Sequence, residues 1–138
     1  HEMSGGLCVP LYACSREIIK RYTPFLEKID LTYTQYIAMM VLWEKKQISV
    51  KELGKCLFLD SGTLTPLLKK LEQKGYVTRT RSEEDERVLI AAITPKGEDL
   101  KDEAVLIPQK MMVCAALPQE KAAQLYTLLY ELLNTLEK

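Results

Sequence analysis

Apolar positions recur every three or four residues over most of the chain, and the breaks in that rhythm mark its joints. Leu7, Leu11, Ile18, Ile19, Phe25, Leu26 and Ile29 outline a helix over residues 7 to 30, with Pro10 tolerable in its first turn and Pro24 expected to kink or interrupt it. Thr32 followed by Gln35 is a capping-box pair, so a second helix should start there and run through Trp43. Tyr36, Ile37, Met39, Met40, Val41 and Leu42 make that helix apolar almost all round, the mark of a core element. Ser49 and Glu52 repeat the capping signal ahead of a short helix over Val50 to Leu57. Leu64, Leu67, Leu68 and Leu71 then share one stripe of a helix that Asp60 or Ser61 can cap and that Gly75 can stop in a left-handed conformation.

After Gly75 the period shortens. Tyr76 to Arg81 and Val88 to Ile93 are β-branched or alternating runs on either side of the polar Ser82-Glu-Glu-Asp-Glu-Arg87, which predicts a hairpin. A two-stranded hairpin is marginal alone and must lean on the helices before it. Thr94-Pro95 is an N-cap with proline at the first helical position, opening a helix toward Met112 that Pro108 should bend or divide. From Pro118 onward Ala122, Leu125, Leu128, Leu129, Leu132, Leu133 and Leu136 form a stripe too wide for a solvated tail.

Once its leucines are buried, the helix after Asp60 presents Ser61, Thr63, Thr65, Lys69 and Lys70: hydroxyls at the first turns, cations beyond them. By itself such a face suits an ordinary surface helix as well as a DNA-reading one. The short capped helix before it and the tight turn allowed by Gly54 and Leu59-Asp60 shift the balance, because two helices so joined make a helix-turn-helix. With the hairpin behind it, this is a winged helix-turn-helix: mainly α, with a small β-hairpin wing. Arg79 and Arg81 lie on the first strand of the wing and are expected to contact DNA. Arg87 at its tip is placed to enter a narrow minor groove, with Asp85 holding its guanidinium, although a solvated charged loop would have the same composition.

Charge distribution supports a nucleic-acid partner where the total does not. The chain of 138 residues is formally neutral, but residues 45 to 81 carry nine Lys or Arg against three Asp or Glu, while residues 82 to 138 carry six against eleven. A basic centre between neutral and acidic ends is a phosphate footprint. Other classes recede. The four cysteines, Cys8, Cys14, Cys56 and Cys114, include no C-x-x-C pair, and His1 is the sole histidine, so neither a metal centre nor a histidine-based triad is expected, and no cofactor or enzyme activity. No apolar run approaches the roughly 20 residues that cross a bilayer. No signal-peptide pattern is visible, which points to a cytoplasmic location and thiols reduced at rest. Cysteine is a small, usually buried hydrophobe, so Cys14 and Cys56 are expected as core or interface filler, and Cys8 on its own would be read the same way.

The segments Leu57-Phe-Leu-Asp-Ser-Gly-Thr-Leu-Thr-Pro-Leu-Leu-Lys-Lys-Leu71 and Arg79-Thr-Arg-Ser-Glu-Glu-Asp-Glu-Arg87 resemble the MarR family of winged-helix repressors, and over nearly the whole chain. The branch they resemble is that of the organic hydroperoxide resistance regulators and the related SarZ regulators. Leu7-Cys8, Leu11-Tyr12 and Leu31-Thr-Tyr-Thr-Gln-Tyr36 match the same branch.

That resemblance implies a homodimeric repressor of a pseudo-palindromic operator, with residues 4–31 and 95–138 as dimerisation helices around a DNA-binding region at 32–94. A two-fold dimer sets its reading helices roughly 34 Å apart, one turn of DNA. The resemblance also implies that Cys8 is the redox sensor, served by Tyr12, Tyr22 and Tyr33, some of them from the other subunit, and that Cys114 of the opposite subunit or a small external thiol resolves the oxidised sulfur. Phenolic O–H donors favour the thiolate, the form that attacks a peroxide. The expected function is therefore a repressor released from DNA when an organic hydroperoxide oxidises Cys8. The competing readings are a MarR-type regulator answering a small aromatic ligand or general thiol stress with Cys8 incidental, and, from another class, a thiol peroxidase.

Overall fold

The computed structural model describes residues 6–108 and 117–137. The chain divides into two compact units, residues 1–107 and 108–138.

In the first unit α1 spans Cys8–Glu27 and runs through Pro24 without a break. The proline falls in the last turn, where it removes one bond, the N–H that would have met the Lys20 carbonyl, and no later turn depends on it. Residues Leu26 to Leu31 close the helix with bonds from Ile29 N–H and Leu31 N–H to the Leu26 carbonyl, both at 3.1 Å, and Asp30 takes φ 54°. Then α2, Tyr33–Lys45, starts from the full capping box: Thr32 Oγ1 accepts the Gln35 N–H at 3.3 Å and Gln35 Oε1 accepts the Thr32 N–H at 3.1 Å. As its sequence demands, α2 is the core, burying Tyr36, Ala38, Met39, Leu42 and Trp43.

The wing has one strand more than the pattern predicts. β1, Gln47–Ser49, precedes α3, Val50–Leu57, and pairs antiparallel with the hairpin's second strand. With β2, Val77–Arg81, and β3, Leu89–Ile93, it makes a sheet of order β1-β3-β2, with Ile48 opposite Ala91 and Arg79 opposite the same alanine from the other side. This third strand answers the hairpin's marginal stability, because β3 is now hydrogen-bonded on both edges. Lys46, at φ 71°, makes the sharp exit from α2, and its carbonyl accepts the Ile93 N–H at 2.9 Å.

Ser49 caps α3, accepting the Glu52 N–H at 3.1 Å. The turn that follows puts Phe58 in the left-handed region at φ 56° and returns the Leu59 N–H to the Gly54 carbonyl at 2.9 Å. A Cβ on Gly54 would stand 2.9 Å from the Leu59 carbonyl, so this position admits no side chain without moving the turn. Helix α4, Ser61–Gln73, then buries Leu64, Leu67, Leu68 and Leu71, the stripe anticipated from spacing. It ends in a Schellman motif: Tyr76 N–H to the Leu71 carbonyl and Gly75 N–H to the Glu72 carbonyl, both 3.0 Å, with Gly75 at φ 84°.

Thr94 caps α5, Pro95–Ala104, through the Gly97 N–H at 3.1 Å. Trp43 Nε1 donates to the Gly97 carbonyl at 2.8 Å, and Lys46 Nζ reaches Glu98 at 2.8 Å, so the core helix holds the start of α5. The run predicted toward Met112 is divided beside Pro108, as its pattern expects: α5 stops at Ala104, a turn takes up 105–106 and helix resumes at 107–108, while Met112 lies outside the described residues. In the second unit, α6, Gln119–Leu136, follows Pro118 as its N-cap and buries none of its residues. Among the described residues no helix is long and apolar enough to cross a membrane.

Candidate nucleic-acid interface and thiol site

The outer face of α4 is a product of its cap and its leucines. Asp60 Oδ1 accepts the Thr63 N–H at 2.8 Å, and that bond holds the Asp60 carboxyl below its ordinary value. With one face fixed inward, Ser61, Thr65 and Lys69 fall in an i, i+4, i+8 row on one flank of the outer face, and Thr63 and Lys70, at i and i+7, share the other flank. All five are exposed. Between this face and the start of α2 lies an open groove of about 310 Å³, with Thr32, Thr34, Thr63, Pro66 and Lys70 among its walls. Hydroxyl groups and two cations on one projecting helix can donate and accept at base edges and neutralise phosphates.

The wing tip orients its arginine. Ser82 N–H meets the Val88 carbonyl at 2.8 Å and Val88 N–H the Asp85 carbonyl at 2.9 Å, closing the loop. Asp85 accepts from Arg87 three times: Oδ1 from the backbone N–H at 3.0 Å and from Nε at 3.1 Å, Oδ2 from Nη2 at 3.2 Å. These bonds pull the Asp85 carboxyl below its usual value and leave the Arg87 side chain 91% exposed, a fixed cation standing out from the wing. The neighbouring acids Glu83, Glu84 and Glu86 are also exposed. Arg81 is exposed at the end of β2.

Arg79 is turned the other way. Its Nη2 and Nε donate to Glu72 Oε1 at 3.0 and 3.3 Å, and its backbone N–H donates to Glu72 Oε2 at 3.1 Å. The pairing lowers the Glu72 carboxyl and fixes the wing against α4. Sequence alone did not single out Glu72, seven residues from its partner across a helix end.

At the other end of the unit, Cys8 is the first residue of α1 and is exposed, with Leu7, Val9, Leu11 and Tyr12 around it equally bare. Leu7, the N-cap of α1, makes no side-chain cap bond. Tyr12, one turn on, is 68% exposed, with the Arg16 guanidinium 5.7 Å from its ring centroid. Tyr22 and Tyr33 meet elsewhere, edge to face at 5.3 Å, and Tyr36 lies 5.7 Å from Tyr22. Burial, with a smaller contribution from Tyr33, raises Tyr22, and burial raises Tyr33; burial, with Tyr22 and Tyr33 adding to it, pushes Tyr36 up to about 12. Fourteen residues of helix separate Cys8 from Tyr22, about 21 Å at 1.5 Å per residue, so within one protomer those rings are out of reach of the sulfur. Cys114 lies outside the described residues. Cys14 and Cys56 are both exposed in the single chain, so of the two expectations, core or interface filler, the core one is corrected, because α1 buries only Leu26 and α3 turns Leu53 and Gly54 inward. Among the described residues no cluster of side chains could hold a metal ion.

Known proteins share this arrangement. A family model described as transcriptional regulator SarA/Rot matches residues 20–104. The organic hydroperoxide resistance transcriptional regulator of Bacillus subtilis (strain 168) is 47% identical over 137 residues, spanning 99% of this chain and 93% of that protein. The HTH-type transcriptional regulator SarZ of Staphylococcus epidermidis (strain ATCC 35984 / DSM 28319 / BCRC 17069 / CCUG 31568 / BM 3577 / RP62A) is 46% identical over 123 residues, 89% of this chain and 83% of that one. The structure of reduced AbfR bound to DNA, from a protein also solved as that of Staphylococcus epidermidis, superposes with a TM-score of 0.82 at 31% identity and covers 99% of this chain and 96% of its own.

Proposed function

The chain belongs to the SarA/Rot family of transcriptional regulators, on the MarR-type winged-helix fold, and from that premise we propose that it is a peroxide-sensing DNA-binding repressor. In this reading it is a cytoplasmic homodimer and not an enzyme. Its reduced form holds a pseudo-palindromic operator, each α4 in a major groove and each Arg87 in the flanking minor groove. Ser61, Thr63 and Thr65 meet base edges and backbone. Lys69, Lys70 and Arg81 contribute phosphate affinity that falls as salt rises. Arg79, engaged with Glu72, is assigned to positioning the wing.

The signal enters at Cys8. Its thiolate attacks one oxygen of an organic hydroperoxide, the O–O bond breaks, the alcohol leaves with a proton, and the sulfur becomes a sulfenic acid. Condensation with a second thiol releases water and leaves a disulfide; Cys114 of the opposite subunit or a small external thiol supplies that second sulfur. Tyr12 of the same helix, and Tyr22 and Tyr33 of the partner, would supply phenolic donors at the seam. The apolar surroundings of Cys8 favour an organic hydroperoxide over a charged oxidant. A 100-fold loss of operator affinity requires only about 2.7 kcal/mol of bias between two dimer states.

The observation that carries this reading is that one chain presents both a bare hydroxyl-and-cation row on a capped reading helix and a bare thiol at the head of an apolar helix. The groove beside Lys70 favours a second reading, a regulator answering a small aromatic acid with Cys8 incidental. Operator binding by wild type and Cys8→Ser, with and without cumene hydroperoxide, separates them. Release of wild type and retention of Cys8→Ser supports the sensor, whereas equal behaviour of the two removes Cys8 from the account.

A further inference from the structure

The far end of the reading helix is tied to the head of the core helix through a single ammonium. Lys74 is the C-cap of α4. Its Nζ donates to the Asp30 carbonyl at 2.5 Å and to Gln35 Oε1 at 2.9 Å, and stands 3.6 Å from the Asp30 carboxylate. Gln35 Oε1 is also the atom that accepts the Thr32 N–H and completes the cap of α2. At 4% exposure, Gln35 is the buried polar side chain of the described residues, and a buried carbonyl with two donors has its hydrogen-bonding capacity used. Tyr33 and Tyr36, on either side of it in α2, hold Tyr22 of α1. The same turn is gripped from behind: the Lys74 carbonyl accepts from Lys96 Nζ at 2.9 Å, and the Gly75 carbonyl accepts from Thr94 Oγ1 at 2.6 Å.

The leucine stripe of α4 is buried by apolar contact, which is non-directional and does not by itself name the partner that the end of the helix follows. Charge-assisted bonds are directional and set register. From this contrast we propose that Lys74 is a positioning residue: its bridge to Gln35 and Asp30 makes the end of α4 follow the junction of α1 and α2, and so passes the state of the tyrosine seam to the DNA-reading helix. The proposal rests on the peroxide-sensing reading above and names the contact through which it acts on DNA.

The test uses the full chain. Wild type, Lys74→Met and the conservative Lys74→Arg are titrated onto operator DNA, reduced and after cumene hydroperoxide, with Cys8 modification read by intact mass on the same samples. Lys74→Met keeps reduced affinity within about threefold and an unchanged slope of log K against log salt, since a lost phosphate contact would lower the slope by about 0.9. Its Cys8 is modified as in wild type, but the ratio of oxidised to reduced Kd falls about tenfold, and Lys74→Arg restores most of it. An unchanged ratio in Lys74→Met, or a reduced salt slope, overturns the proposal. Should Lys74→Met lose its cooperative melt, Lys74→Gln, whose shorter neutral side chain cannot make the charge-assisted bridge, shows the same fall, and an unchanged ratio there is equally decisive. A wild type that stays on DNA with Cys8 fully modified contradicts the sensing reading itself, an outcome distinct from the failure of the bridge.

Discussion

Helices α4 and α6 carry the same leucine rhythm and meet opposite fates. In α4, Leu64, Leu67, Leu68 and Leu71 are all buried within the unit that contains them. In α6, Leu125, Tyr126, Leu128, Leu129, Tyr130 and Leu136 stay exposed, as do Leu7 ahead of α1 and Val9, Leu11, Ile18 and Ile19 within it. Periodicity thus says that a face is to be covered, not by what. The reading helix completes its packing within its own unit and is fixed by caps at both ends, whereas α1 and α6 each leave apolar residues exposed. The exposed apolar face of α1, which begins at Cys8, marks an interaction site. A second copy covering it would make oxidation at Cys8 a change at an interface, where a small shift alters the spacing of two rigid heads.

Substitutions that treat the two stripes alike should separate them. Leu68→Ala removes a fully buried side chain and should cost about 3 kcal/mol, seen as a lowered thermal midpoint that does not depend on protein concentration. Leu129→Glu should leave the first unit folded but shift sedimentation toward the monomer and weaken operator binding at least ~100-fold, because a single head loses the effective concentration that linkage to a second one provides. A concentration-independent loss in Leu129→Glu would erase the contrast. Arg87→Ala should weaken operator binding about tenfold, leaving the rate of Cys8 modification unchanged; equal binding would remove the wing from the interface.

The smallest effect is that of pH. Asp85 and Glu72 have carboxyls held below their ordinary values of 3.8 and 4.5, so their contribution to wing order is complete above those values and lost only as pH falls through the lowered ones. Affinity of the reduced protein, measured at constant ionic strength, should therefore change less than about twofold between about pH 6 and 8. The phenols act with the opposite sign. Tyr36, raised from 10.0 to about 12, stabilises the fold in full below 10.0 and loses that contribution as pH rises toward 12, so the thermal midpoint should fall in that alkaline range.

Local signals were the legible part of this molecule. The caps at Thr32, Ser49, Asp60 and Thr94 and the Gly75 stop each depend on residues within five positions, and each stands where its pattern places it. Long-range or outward-facing features were not legible. Three residues of β1 show no alternation to detect and exist because Ala91 and Ala92, over forty positions away, supply an open edge. Arg79 shares its type with Arg81 and Arg87, and only the fold brings Glu72 beneath it. Cys14 and Cys56 have the composition of core residues, yet the faces they occupy are not the ones turned inward. For the tyrosines, sequence supplied the set but not its geometry: Tyr22, Tyr33 and Tyr36 cluster, while Tyr12 stands near the sulfur without them.

The most direct trial of the central claim is a stepwise titration with cumene hydroperoxide in which each sample is split between non-reducing intact mass and operator binding. The account predicts that the fraction of protein released equals the fraction carrying a modification on Cys8, as a crosslinked dimer or a mixed disulfide. Full modification of Cys8 with the operator still bound, or release while Cys8 is intact, would contradict it.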